Sequence, residues 1–77
     1  MDHDEFRTAR RRLGLSQGQL GALLDIDART IRRYETDPAS GKQSRPPHPA
    51  ACVALRWLLD GFRPPEWPAD ARPGRED

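Results

Sequence analysis

Apolar side chains recur at helical spacing in four segments of the chain. In the first segment, Phe6, Ala9 and Leu13 share one face, which predicts a helix over residues 4–13 with Asp4 as its N-terminal cap. The glycine that follows is expected to end this helix. Taken together, the four segments predict an all-α fold, a compact bundle of four short helices.

Two further segments predict a pair of short helices joined by a tight turn. Residues 17–24 form one helix with Ser16 as its cap, and the next runs from 28 to about 35 with Asp27 as its cap. Asp25 tolerates the left-handed backbone conformation that such a turn requires. The residues expected to be buried between these two crossing helices are Leu20, Leu23, Leu24, Ile26 and Ile31.

The fourth helix is predicted over residues 49–60, after a proline-rich loop over residues 36–49. Its core-facing residues are expected to be Cys52, Leu55, Leu59 and Phe62, with Ala51, Ala54 and Leu58 beside them. Val53 and Trp57 lie on the opposite face, where exposed apolar side chains indicate a self-association surface. The alternative is that the proline-rich tail folds back and covers Trp57 within the same chain.

The segment after the fourth helix is rich in proline, and residues 69–77 have no apolar pattern and are predicted to be disordered. Trp67 stands between prolines and is expected to pack on the fourth helix, either of its own subunit or of a partner subunit. Residues 1–62 are thus predicted to form one domain, and residues 63–77 an extended, partly disordered tail.

Charges are unevenly distributed, although the net charge of the 77 residues is only +1. The chain from Arg7 to Arg45 has nine cations and four anions, whereas both ends are acidic. A basic middle with acidic flanks is typical of a surface that faces phosphate groups, although charge runs on small domains are commonly only solvated faces. Because a domain of this length has a small core, dimerisation would help both stability and binding.

Arg10 is the one charged residue on the apolar face of the first helix. A charge that faces a core needs a partner, and Glu35 at the end of the third helix is the candidate. The alternative is that Arg10 lies at the edge of the apolar stripe and extends its guanidinium into water.

The sequence offers no arrangement of residues for catalysis or for metal binding. His3 and His48 are isolated, and Cys52 lies on an apolar stripe, where a buried structural role is expected. The protein is therefore expected to be no enzyme and to need no cofactor, metal or small-molecule ligand.

A single cysteine is typical of the reducing cytoplasm. No signal sequence and no apolar run long enough for a bilayer are visible, so no membrane association is expected.

On the third predicted helix, the outward residues are one small residue and three arginines, namely Ala28, Arg29, Arg32 and Arg33. These side chains are suited to base edges and phosphates.

Residues 6–37 resemble the helix-turn-helix of the lambdoid-phage repressor and Cro family, also called the Xre family. The resemblance rests on Leu15-Ser16-Gln17 at the start and on Ile31-Arg32-Arg33-Tyr34-Glu35 at the end.

This resemblance implies a third helix that enters the major groove of DNA, in dimers whose half-sites are about one helical turn apart. Two residues depart from the family pattern, since Gly21 replaces the usual alanine and Asp25 the usual turn glycine. Residues 41–59 are also similar, more weakly, to small phage-encoded autorepressors, among them those that accompany anti-CRISPR genes.

Carried over position by position, the resemblance assigns Ala28, Arg29 and Arg33 to base edges. A guanidinium fork matches O6 and N7 of guanine, and the methyl group of Ala28 can meet a thymine methyl. The resemblance also favours a buried pair between Arg10 and Glu35.

The DNA backbone is expected to contact a second set of residues. Gln17, Thr30 and Arg32 are assigned to phosphates by the resemblance. Lys42 and Arg45 lie in the long loop, and long loops in compact domains are often functional. The alternative for these two is a solvated linker with incidental charge.

Together, these expectations predict a homodimeric, sequence-specific transcriptional repressor that binds an inverted repeat in double-stranded DNA. It is expected to act by occluding a promoter, and the promoter of its own gene is one candidate. The protein is expected in the cytoplasm, associated with the nucleoid. Val53, Trp57 and Trp67 are the candidate dimer contacts. The alternative is a protein-binding module that docks a partner protein through its tryptophans and prolines, as antitoxins dock toxins. A strictly monomeric protein without DNA affinity at low salt would favour this alternative.

Overall fold

A computed structural model describes residues 1–71 as four α-helices and one short 3-10 helix, with no strand among these residues. The helices are α1 (His3–Arg12), α2 (Gln17–Leu24), α3 (Ala28–Tyr34) and α4 (Pro49–Leu59), and the 3-10 helix is Pro38–Ser40. α2 packs against α3, and α1 packs against α4. The all-α prediction with its central helix pair is confirmed, whereas the 3-10 helix in the loop was not predicted.

The N-terminal cap of α1 is Asp2, so the prediction of Asp4 is wrong. The Asp2 carboxylate accepts a hydrogen bond from the Glu5 backbone N–H at 2.8 Å, and the Glu5 carboxylate accepts one from the Asp2 N–H at 3.1 Å. This reciprocal capping box needs a carboxylate or amide three residues after the cap. Asp4 cannot form it because the residue three positions later is Arg7.

α2 and α3 are joined by the turn that the sequence predicted. Ser16 caps α2 in a second capping box with Gln19, and Asp27 caps α3. Asp25 has a left-handed backbone conformation, with φ 56° and ψ 44°. Gly21 packs directly against this turn, since a Cβ built on it would be 2.4 Å from the carbonyl oxygen of Ile26.

The core lies where all four helices meet. Its fully buried apolar side chains are Phe6, Leu15, Leu20, Ile31 and Leu55. The rings of Phe6 and Tyr34 pack edge to face, with centroids 5.5 Å apart, and so join α1 to α3. Three of the residues expected to be buried are only half-buried and pack against the outside of this core, namely Leu23, Leu24 and Ile26.

α4 ends one residue before the predicted bound, and Phe62 does not belong to the core. The Phe62 N–H donates to the Trp57 carbonyl, the Gly61 N–H donates to the Leu58 carbonyl, and Gly61 has φ 110°. This pair of bonds is the Schellman motif, in which a left-handed residue turns the chain away from the helix axis. Phe62 is therefore 58% exposed, because the helical spacing that predicted its burial has already ended.

The tail folds back onto the protein as far as Ala71. Trp67 and Ala71 pack against the core, and the Arg63 guanidinium lies 4.2 Å from the centroid of the Trp67 ring. The side-chain amide of Gln19 donates a hydrogen bond to Asp70 at 2.9 Å. The remaining part of the segment predicted to be disordered, residues 72–77, lies outside the described residues.

Candidate nucleic-acid interface

α3 has one face in the core and one face toward solvent. Ile31 and Tyr34 are buried, and so is the residue that caps the C-terminus, Glu35. On the opposite face, Arg29 and Arg32 are exposed and Arg33 is half-buried. The helix is thus fixed from one side and presents three guanidinium groups on the other.

These three arginines lie in an open groove of about 820 Å³. α1 contributes one residue to the lining, and the rest comes from α3 and from the segment that follows it as far as Gln43. The lining residues are Arg7, Arg29, Arg32, Arg33, Thr36, Asp37, Ser40, Lys42 and Gln43. Five cations and a single carboxylate make this groove strongly electropositive, which is the requirement for holding a polyanion.

The loop after α3 is tied to the end of that helix. The Arg45 N–H donates to the Arg33 carbonyl at 3.1 Å, and Asp37 caps the 3-10 helix by accepting from the Ala39 N–H at 2.9 Å. Lys42 is thereby held at the groove. The Arg45 side chain is exposed but does not line the groove. Of the two loop cations predicted to contact DNA, Lys42 therefore lies in the groove and Arg45 does not.

The remaining residues expected at DNA are not among those that line the groove. Ala28 is exposed at the start of α3, and Thr30 is half-buried on the same helix. Gln17 begins α2 and lines a second, smaller pocket together with Arg7 and Arg11. Its side-chain amide donates to Glu35 at 3.3 Å.

Arg10 and Glu35 form the buried ion pair that the sequence favoured. Arg10 donates from Nε to Glu35 Oε2 at 2.7 Å and from a terminal nitrogen to Oε1 at 2.8 Å. A further terminal nitrogen of Arg10 donates to the Leu15 carbonyl at 2.8 Å. Both charged residues are 2% exposed, so the alternative in which Arg10 extends into water is wrong.

Arg7 is a groove residue that the sequence analysis did not select. It lies one turn before Arg10 on α1, and its Nε is 3.8 Å from Glu35 Oε1. The signal was present in the spacing, because residues three apart on a helix are neighbours. Once Arg10 is paired with Glu35, Arg7 must also lie beside the C-terminal end of α3.

The three candidate dimer contacts lie in two different environments. Val53 and Trp57 are 45% and 61% exposed on the outer face of α4. The alternative in which the tail covers Trp57 is therefore wrong. Trp67 packs against the core of its own chain, where it is half-buried.

Cys52 and the two histidines take structural or surface positions. Cys52 is buried on α4, and His48 caps that helix by accepting from the Ala50 N–H at 3.1 Å. Residues 1–71 hold no group of three histidine, cysteine or carboxylate side chains arranged for a metal ion. Across the same residues, none of the helices combines the length and the apolar character needed to cross a bilayer.

Residues 6–41 match a family model described as helix-turn-helix. The matched segment runs from the core-facing part of α1 through the 3-10 helix, and so contains all of the arginines that line the groove. No curated protein and no solved structure matches the chain. Domains of this family are DNA-binding and regulatory, and they are typically non-enzymatic. Residues 6–41 are therefore similar to a helix-turn-helix domain, and the capped α2–turn–α3 unit is the structure that this similarity leads one to expect.

Proposed function

We propose that the protein is a homodimeric transcriptional repressor that binds an inverted-repeat operator and blocks a promoter by occupying it. The observation that carries the proposal is the placement of Arg29, Arg32 and Arg33 on the solvent face of α3, inside a groove whose other cations come from α1 and the loop. A helix with three guanidinium groups, accompanied by cations from neighbouring elements, suits a major groove between two phosphate backbones.

Base reading is assigned to Ala28, Arg29 and Arg33. Arg29 and Arg33 are one helical turn apart, so their guanidinium groups can reach adjacent base pairs, and the exposed methyl group of Ala28 is available for a thymine. Arg32 is exposed on the same solvent face and is assigned to the backbone, as the family resemblance implies.

The remaining phosphate contacts are assigned to Gln17, Thr30, Lys42 and Arg45. Lys42 is supported by its position in the groove, and Gln17 by its place in the first turn of α2, where backbone N–H groups favour an anion. Such contacts fix the register of the protein on DNA without reading its sequence.

Dimerisation is assigned to the outer face of α4. Ala50, Val53, Ala54 and Trp57 follow one another at the spacing i, i+3, i+4 and i+7, which makes a continuous apolar stripe with a tryptophan at one end. A second copy of the stripe can cover the first, with small residues opposite the large ring. Two domains held in this way double the number of phosphate contacts, which a small single domain needs for useful affinity.

The promoter is proposed to be that of the protein's own gene, as in small phage-type autorepressors, and the repressor to act in the cytoplasm on the nucleoid. A bound dimer of this size blocks the polymerase by occupying the promoter. The test is selection of the full-length protein on a random duplex library, followed by gel shifts on the selected sequence and by footprinting upstream of its own gene.

A two-fold symmetric site and a footprint upstream of the gene are the expected results. The double variant Arg29→Ala/Arg33→Ala is expected to lose the sequence preference. Arg12→Ala serves as the matched control, because Arg12 is an exposed arginine outside the groove. Selection of no preferred sequence would refute the repressor proposal. A strictly monomeric protein that shifts no DNA even at low salt would instead support a protein-docking role for the exposed Trp57.

A further inference from the structure

We propose that Arg7 on α1 binds a phosphate of the DNA backbone. The inference rests on the proposed DNA binding, and adds to it a contact from a helix outside the α2–turn–α3 unit. The ligand class is a phosphodiester, held by a guanidinium independently of base sequence.

The first observation is the position of Arg7 between two concave surfaces. Its side chain lines the groove beside Arg29 and Arg32, and it also lines the smaller pocket at the start of α2 beside Gln17. Among the residues that line these two surfaces, Arg7 is the one they share. A phosphate at this boundary would lie within reach of both α1 and α2.

The second observation is how Arg7 is held. Glu35 Oε1 is 3.8 Å from the Arg7 Nε, which is too long for a hydrogen bond but close enough for charge attraction. The carboxylate already accepts hydrogen bonds from Arg10 and Gln17. Glu35 therefore orients Arg7 without occupying its hydrogen-bond donors.

The third observation is that the donors of Arg7 are available. Its side chain is 44% exposed, and its guanidinium donates no hydrogen bond to any of residues 1–71. A guanidinium has five N–H donors in a planar fork that matches two phosphate oxygens. An arginine that is oriented by one carboxylate and open to solvent loses little conformational freedom when a phosphate binds.

The position of Arg7 on α1 favours a phosphate over a base. α3 gives the groove three of its lining arginines and α1 gives it Arg7, so a duplex whose bases meet α3 can bring a backbone strand to Arg7. Loss of a phosphate contact weakens binding to every sequence by a similar factor and lowers the salt dependence.

The test measures the affinity of the full-length protein for a selected duplex and for a random duplex across a series of salt concentrations. Arg7→Ala is expected to reduce the slope of log K against log salt by about 0.9 for each protomer bound. The fold-loss in affinity is expected to be the same for both duplexes. Arg7→Lys is expected to keep the slope, because it keeps the charge, and Arg12→Ala to change neither quantity.

Three outcomes would overturn the assignment of Arg7 while leaving the proposed function intact. The first is an unchanged slope in Arg7→Ala. The second is a loss confined to the selected duplex, which would indicate base reading. The third is a lowered melting temperature with an affinity loss that Arg7→Lys does not restore, which would indicate a structural role. If the wild-type protein binds neither duplex at low salt, the proposed function and the role of Arg7 both fail.

Discussion

Arg10 of α1 and Glu35 at the end of α3 meet in a bidentate ion pair from which water is excluded. The two hydrogen bonds are 2.7 and 2.8 Å long, and each residue is 2% exposed. Because Glu35 is also the C-terminal cap of α3, the pair fixes the end of the helix that faces the groove. The orientation of the candidate nucleic-acid interface thus depends on a contact on the buried side of α3.

Glu35→Gln is expected to lower the free energy of unfolding by about 3 kcal/mol, because it leaves a buried guanidinium without a compensating charge. Chemical denaturation followed by circular dichroism measures this loss. The double variant Arg10→Met/Glu35→Leu removes both charges and is expected to recover most of the stability. A loss below about 1 kcal/mol in Glu35→Gln would contradict the importance of the pair.

Gly21→Ala is expected to destabilise the protein by about 1–3 kcal/mol, because its Cβ would overlap a backbone oxygen that cannot move alone. The distance to the Ile26 carbonyl oxygen would be 2.4 Å. Gly18→Ala is the matched control on the same helix, where the new Cβ would have only the Ser16 hydroxyl near it, at 4.0 Å. That control is expected to be neutral or to gain up to about 1 kcal/mol through its higher helix propensity. Thermal melts that rank the two variants in the reverse order would contradict the close approach.

Asp25 is the one described non-glycine residue with a positive φ, and its two simplest replacements are expected to differ in stability. Asp25→Gly removes the steric cost of the left-handed conformation, whereas Asp25→Ala keeps that cost and loses the polar side chain that eases it. The glycine variant is expected to be more stable than the alanine variant by about 1 kcal/mol. Equal denaturation midpoints for the two variants would show that the turn is not strained.

Trp67→Ala is expected to lower the free energy of unfolding by about 2 kcal/mol, because it removes a half-buried ring and its contact with the Arg63 guanidinium. Trp57→Ala is the matched control at a residue that is 61% exposed. At high dilution the control is expected to stay within about 0.5 kcal/mol of wild type. If Trp67→Ala is equally harmless, the tail contributes nothing to the fold.

Trp57→Glu is expected to convert the proposed dimer into a monomer, because a charge on the apolar stripe of α4 would have to be desolvated at the proposed interface. Sedimentation velocity of the full-length protein over a range of concentrations measures this. Arg56→Glu, the neighbouring exposed residue outside the stripe, is the control and is expected to remain dimeric. An unchanged sedimentation coefficient in Trp57→Glu would exclude the outer face of α4 as the dimer contact.

The α2–turn–α3 unit could be predicted from sequence because its determinants are local. Ser16 and Asp27 each cap a helix through a backbone group two or three residues away, and Asp25 holds the turn between them. Such signals lie within a few residues of the structure they specify. The bounds of α2 were predicted without error for this reason.

The errors fall where the outcome depends on a distant or competing contact. Phe62 lies at the helical spacing of a core residue. However, α4 ends before Phe62, in a Schellman motif that contains Gly61, so the helical spacing no longer determines where its side chain lies. Arg7 was missed because its position beside α3 follows from the Arg10–Glu35 contact, a pairing between distant elements that periodicity alone does not specify. The same limit left open which subunit Trp67 would pack on.

The division of α3 into two faces has a consequence for how the proposed DNA target could change. The residues that hold the helix are Ile31, Tyr34 and Glu35, and none of them reaches the groove. The outward positions are solvent-accessible, and substitutions at such positions usually change stability by less than about 0.5 kcal/mol. Under the proposed assignment of Ala28, Arg29 and Arg33 to base edges, a new operator preference is accessible through a few exchanges at these positions on an unaltered scaffold, both in evolution and in redesign.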